Sequence, residues 1–156
     1  MKPVKTNAMR ALERAGIAYE PIFYDLGDAE FSGAAVAEAT GVPQQQSFKT
    51  LTARGAGVFV FVVPVSAELD LKKAAACAGQ KKVEMLHVRE LPAVTGYNRG
   101  EVSPVGMKKH YPTFIDVSAE AFDFIVVSAG KKGASMKIGP ADLARLLGAR
   151  FAGLSK

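Results

Sequence analysis

The sequence predicts a mixed-sheet α/β domain, and three observations predict it. Stretches with helical and with strand patterning are interleaved irregularly, without the strict strand-helix repeat of a doubly wound fold. Val58 to Val63, in VFVFVVP, form an unbroken apolar run with no polar face, the pattern of a strand buried on both sides at a sheet centre. The length, 156 residues, fits one domain over 1–156 with a sizeable buried core. No internal repeat or low-complexity linker divides it.

Thr6 is the expected N-cap of a first helix in NAMRALERA, with Ala8, Met9, Leu12 and Ala15 on one stripe and Gly16 as its stop. IAYEPIFY then reads as a strand, and Pro21 within it predicts an edge position or a bulge. Ser32 to Thr40 reads as a second helix ended by Gly41. SFKTLTA is a strand by its β-branched and aromatic content, and Arg54-Gly55-Ala56-Gly57 turns it into the central apolar strand. LDLKKAAACAG predicts a third helix with Asp70 in its first turn and Gly79 at its end. KKVEML reads as a short strand and RELPAV as at most a helical turn, before the glycine-rich loop TGYNRGEVSPVG, Thr95 to Gly106. PTFIDV, DFIVVSAG and ASMKIG supply three more strands, and Pro140 starts a last helix in ADLARLLG.

Composition excludes several classes. No apolar run approaches the roughly 20 residues that span a bilayer, and the polar amphipathic start lacks the apolar core of a signal peptide, so the expected location is the cytoplasm, with no membrane partner. Cys77 is the only cysteine, which excludes an intramolecular disulfide and a cysteine-rich zinc site. His87 and His110 fit no ligand pattern, and no metal is expected. Neither a P-loop nor a GxGxxG turn occurs, so no nucleotide cofactor is expected either. There is no GxSxG elbow, and Ser66, Ser103 and Ser128 have no base visible in the sequence. Cys77 lies among alanines on a helix and reads as a small buried hydrophobe.

The net charge of +5 favours polyanions mildly. Lysine doublets at 72–73, 81–82, 108–109 and 131–132 stand next to predicted element boundaries, as a solvated surface or as a polyanion contact. Lys49 shares a strand face with Ser47 and Leu51; it reaches solvent at an edge or stands at a pocket wall facing an anionic or carbonyl group. Tyr24 closes an earlier strand and either packs in the core or lines the same pocket.

Taken together, FKTL, LDLKKAAACAGQKKVEML, TGYNRGEVSPVG, PTFIDVSAE and FIVVSAGKKG resemble, in that order, the YbaK/EbsC group of aminoacyl-tRNA deacylases. These are relatives of the editing domain inserted in bacterial prolyl-tRNA synthetase. The resemblance implies a compact mixed α/β fold with a curved, mostly antiparallel sheet flanked by helices. It implies a trans-editing enzyme for mischarged tRNA, best matched to hydrolysis of Cys-tRNA(Pro), with Ala-tRNA(Pro) or another small aminoacyl-tRNA, or non-catalytic tRNA binding, as alternatives. The expected partners are tRNA and prolyl-tRNA synthetase, not DNA.

By the same resemblance Lys49 and Gly100 are the catalytic positions, and Tyr24, Ser128, Glu101, Ser103 and Pro104 bind substrate. Lys108, Lys109, Lys131 and Lys132 are expected to hold tRNA phosphates. The implied mechanism is substrate-assisted: the cysteine thiol attacks its own carbonyl, so the protein need supply only position and a backbone wall without side chains. Two departures from the family pattern stand out, Glu101 in place of a second glycine and Ser135 where many relatives carry Asp.

Overall fold

A computed structural model describes residues 4–156. Helix α1 (Asn7–Arg14) starts where expected, because the Thr6 hydroxyl accepts the Met9 N–H at 3.2 Å. Strand β1 (Tyr19–Phe23) follows, then α2 (Gly33–Thr40), capped by Ser32 and ended by Gly41 in the left-handed region. β2 (Phe48–Arg54) and β3 (Val58–Pro64) form the predicted hairpin. After α3 (Leu71–Cys77) come β4 (Glu84–Met85), a 3-10 turn and α4 (Leu91–Thr95). Asp70 is the N-cap of α3 and lies just outside it, its carboxylate accepting the N–H groups of Lys72 and Lys73. Beyond the glycine-rich loop lie β5 (Thr113–Asp116), β6 (Ile125–Lys131), β7 (Ala134–Ile138), α5 (Pro140–Leu147) and β8 (Arg150–Ala152), a strand the sequence pattern did not predict. None of the helices is long and apolar enough to cross a membrane among the described residues.

The strands fall into two sheets, ordered β1-β7-β6 and β4-β2-β3-β5-β8. Pairing is mostly antiparallel, with β3–β5 and β5–β8 parallel. As Pro21 requires, β1 is an edge strand. β3 is central and buried on both faces: Val60 and Val62 pack toward α1, β6 and α5, while Phe59, Phe61 and Val63 pack toward α3. On the α3 side Phe61 stacks on Phe114, with ring centroids 5.7 Å apart. Cys77 is half-buried against that cluster, and burial pushes its thiol pKa up, away from reactivity.

The two sheets meet at one parallel bridge, Ser47 to Val126, reinforced by the Gln46 side chain donating to the Phe124 carbonyl at 2.9 Å. Beyond that bridge β2 and β6 diverge, and the space between them becomes the site.

Asp116 ties the C-terminal segment to this frame. Its carboxylate, only 4% exposed, accepts the N–H groups of Leu154 at 2.9 Å and Ser155 at 3.2 Å and the Ser118 hydroxyl at 2.6 Å. Burial alone would raise its pKa, but the Ser118 hydroxyl and the Leu154 and Ser118 N–H groups outweigh burial and hold it below the ordinary value. A lowered folded pKa stabilises the protein above the unfolded carboxylate value, about 3.9, and that stability is lost as the pH falls through the folded value. Asp116→Asn is therefore expected to lose about 1.5–3 kcal/mol at pH 7. In urea melts the gap between the two proteins closes below about pH 4.

Candidate active site

A cavity of about 270 Å³ opens where the sheets part. One side is Ser47 and β2 from Phe48 to Leu51, and the opposite side is Val126 to Ser128 of β6 with Ser135 of β7 and Tyr24. Phe31 comes from the segment before α2, Gly33 and Val36 from its start, and Leu91, Arg99, Gly100 and Val102 from α4 and the loop after it. The lining is largely apolar and includes neither of the two histidines, so no serine in it has an imidazole partner. No carboxylate lines it among the described residues. Nor does any group of three or more His, Cys, Asp or Glu residues suited to holding a metal ion occur among the described residues.

The glycine-rich loop is pinned rather than loose. Thr95, fully buried, accepts the Lys108 N–H on its carbonyl at 2.9 Å, which ties the two ends of the loop together. The Tyr97 hydroxyl donates to the Val105 carbonyl, and its ring lies so close to Gly130 that a Cβ there would sit 2.7 Å from the ring edge. Asn98 to Glu101 form a turn closed by the Glu101 N–H on the Asn98 carbonyl at 3.0 Å, with Gly100 at φ +82° in its third position. That position of a type II turn needs glycine.

Lys49, Gly100, Tyr24 and Ser128 all line the cavity. Lys49 lines the cavity, is half-buried and has no salt bridge among the described residues, so no carboxylate of those residues pairs with it. Burial pushes the Tyr24 phenol pKa up, with the Gly133 N–H and Ser135 opposing the rise. The Ser128 hydroxyl is fully engaged, donating to the Glu101 carbonyl at 3.2 Å and accepting the Gly130 N–H at 3.0 Å. It tethers the loop to β6.

Glu101, Ser103 and Pro104 do not line this cavity. The Glu101 carboxylate turns toward the β6–β7 connection, where it meets the Lys132 N–H at 3.4 Å. Ser103 is fully buried, its hydroxyl accepting the Val105 N–H, and Pro104 lines a separate small cavity. Among the lysines, Lys132 lies at the mouth, its ammonium 5.5 Å from the Phe31 ring centroid, with exposed Lys131 beside it. Lys109 lines the separate cavity with Pro104, and exposed Lys108 precedes it. Phe31, Thr50 and Arg99 are lining residues that the sequence reading did not single out. Thr50 had a visible signal, as Lys49's neighbour on β2; Phe31 and Arg99 stand in aperiodic segments and had none.

Comparison with known proteins bears on what this cavity is for. The family model described as "Aminoacyl-tRNA editing domain" matches residues 30–146, which contain every cavity-lining residue except Tyr24. An Enterococcus faecalis protein provisionally named Cys-tRNA(Pro)/Cys-tRNA(Cys) deacylase EbsC is 43% identical over 150 residues, covering 95% of this chain and 92% of its own. The uncharacterised Bacillus subtilis protein YwhH is 31% identical over 124 residues, covering 76% of this chain and 78% of its own. A crystal structure described as a candidate trans-editing enzyme for prolyl tRNA synthetase shares the fold with a TM-score of 0.85, at 24% identity over 100% of this chain and 99% of that one. This chain belongs to the aminoacyl-tRNA editing domain family.

Proposed function

We propose that this protein is a free-standing deacylase that removes cysteine from Cys-tRNA(Pro) by substrate-assisted ester cleavage. The observation that supports this most is the combination in one cavity of a half-buried lysine without a carboxylate partner, a side-chain-free turn at Gly100, and no serine-histidine pair. Such a site can position an ester and stabilise its developing negative charge, but offers no evident nucleophile of its own. The substrate's thiol supplies one. The S–C bond forms as the bond from the carbonyl carbon to the ribose oxygen breaks, the thiol proton goes to the leaving hydroxyl, and the released cyclic thioester is then opened by water. Effective molarities above about 10⁵ M for well-placed intramolecular attack make a protein nucleophile unnecessary.

In this reading Gly100 is the backbone wall beside the carbonyl, Lys49 binds the negative charge, and Tyr24 lines the acyl pocket. Ser128, Glu101, Ser103 and Pro104 hold the loop. Lys131 and Lys132 meet acceptor-end phosphates near the mouth, with Lys108 and Lys109 farther along the RNA. Prolyl-tRNA synthetase is the proposed source of the substrate.

The test is deacylation of purified Cys-tRNA(Pro) and Ala-tRNA(Pro) at catalytic protein concentration. Cysteine release is expected to dominate. Preferential release of alanine moves the assignment to water attack on a small aminoacyl ester, and tRNA binding without any release leaves a binding module.

A further inference from the structure

Strand β2 has a gap on its free edge, and that gap opens into the cavity. Side chains of successive strand residues point to opposite faces, so a cavity lined by consecutive residues from Ser47 to Leu51 must touch the strand's edge. One edge is paired with β3 along the whole strand. The other is covered by β6 at Ser47 and by β4 at Ala53 and Arg54.

Three hydrogen bonds fix which peptide groups face the gap. The Ser47 carbonyl accepts from Val65, next to β3, while the Gln46 carbonyl accepts from Val126 and the Thr52 carbonyl from Leu86, both on the other edge. In an antiparallel pair the N–H and C=O of one residue point to the same side and the side alternates along the chain. Phe48, Thr50 and Thr52 therefore direct their peptide groups away from β3. With Thr52 engaged by Leu86 and Val126 seated at Ser47, the Phe48 C=O and the Thr50 N–H are left facing the cavity. The Thr50 hydroxyl oxygen is also buried and without a partner in this structure.

A C=O and an N–H presented by residues i and i+2 of a free edge match one residue of an added parallel strand, whose N–H donates to the first and whose C=O accepts from the second. An aminoacyl ester is such a unit: an α-amino group, one carbon and a carbonyl. We infer that the aminoacyl group docks on β2 as a single added strand residue, its α-amino group donating to the Phe48 carbonyl and its ester carbonyl accepting from the Thr50 N–H. This rests on the proposed deacylase reading and extends it from the class of ester to the state of its amine. The register continues the Val126 bridge by one step, so the amine points at the closed end of the cavity, where β6 already occupies the edge. A substituent on the amine runs into Val126. The site thus accepts a free aminoacyl ester and rejects an N-acylated one, which separates mischarged tRNA from peptidyl-tRNA by backbone geometry alone.

The experiment compares Cys-tRNA(Pro) with N-acetyl-Cys-tRNA(Pro), each rate expressed as acceleration over that ester's own spontaneous hydrolysis. Acetylation is expected to lower the acceleration on the order of 100-fold, the loss of about two hydrogen bonds. Equal acceleration of both esters overturns the inference while leaving the deacylase reading standing; no cleavage of either removes both. Thr50→Pro is the protein-side test. It deletes the Thr50 N–H without touching the β2–β3 ladder, and Lys49 before it is already extended, as a residue preceding proline prefers. Its kcat/KM is expected to fall on the order of 100-fold. A folded Thr50→Pro protein with wild-type kcat/KM overturns the proposal, and if that variant does not fold, the pair of esters decides.

Discussion

Lys49→Ala is expected to lower kcat/KM for Cys-tRNA(Pro) by about 10²–10³, the loss seen when one positioned group that stabilises developing negative charge is removed. The melting temperature should stay within about 2 °C of wild type, since surface-like substitutions away from buried networks cost about 0.5 kcal/mol or less. The asymmetry follows from the surroundings. Lys49 has no salt bridge among the described residues, so its removal strands no buried carboxylate. Its contribution to β2 is an aliphatic stem beside Leu51 and Val65, which alanine truncates without opening the closed core behind β3. Lys49→Arg separates charge from geometry: the planar guanidinium keeps the positive charge but not the compact ammonium's position, and partial activity is expected. Single-turnover deacylation alongside thermal melts checks both variants, and an active Lys49→Ala protein would falsify the site. A large drop in melting temperature would instead make Lys49 a structural residue.

Much of the frame was legible because local signals and tertiary packing agree. Thr6, Ser32 and Gly41 bound their helices as cap chemistry dictates, Pro21 lies on an edge, and the unbroken apolar run of β3 is buried on both faces. What was not legible depends on long-range pairing. β8 is three residues, with Arg150 exposed, too short for a period to appear, and it exists because β5 offers a parallel edge. The parting of β2 from β6 beyond Ser47 has no local signature, so the cavity could not be read from periodicity. Strand pattern left Lys49 and Tyr24 open between pocket and solvent or core, and family resemblance chose the pocket for them and added Gly100 and Ser128; all four line one cavity because that parting brings β2, β6 and the glycine-rich loop together. Ser103 and Pro104 share the loop with Gly100 but not its exposure. The bonds that tie the loop at Thr95 and Tyr97 turn its second half into the core, so proximity in sequence did not become a place in the cavity lining.

Gly100→Ala carries the other large effect, and two physical causes act together in it. At φ +82° an L side chain costs about 1–2 kcal/mol, which the loop must absorb as strain or relieve by rotating the Asn98–Glu101 turn. A Cβ there would also lie 3.0 Å from Phe31 Cε1 and 3.2 Å from Lys132 Cε, so the residues at the cavity mouth must move outward. Either response shifts the backbone wall that the deacylase reading places beside the ester carbonyl. A displacement of about 1 Å in a positioning site can cost on the order of 100-fold in rate. The expected result is therefore a loss of that size in kcat, with a stability loss of about 1–2 kcal/mol in urea titration. Combining Gly100→Ala with Phe31→Ala tells the causes apart. If crowding against the ring dominates, removing the ring recovers much of the activity lost on adding the methyl; if the left-handed backbone dominates, the double variant is no better than Gly100→Ala. Wild-type kcat in Gly100→Ala itself would mean that the turn tolerates the side chain and that the carbonyl is held elsewhere on the cavity wall, which would leave the β2 edge as the sole backbone contact to the ester.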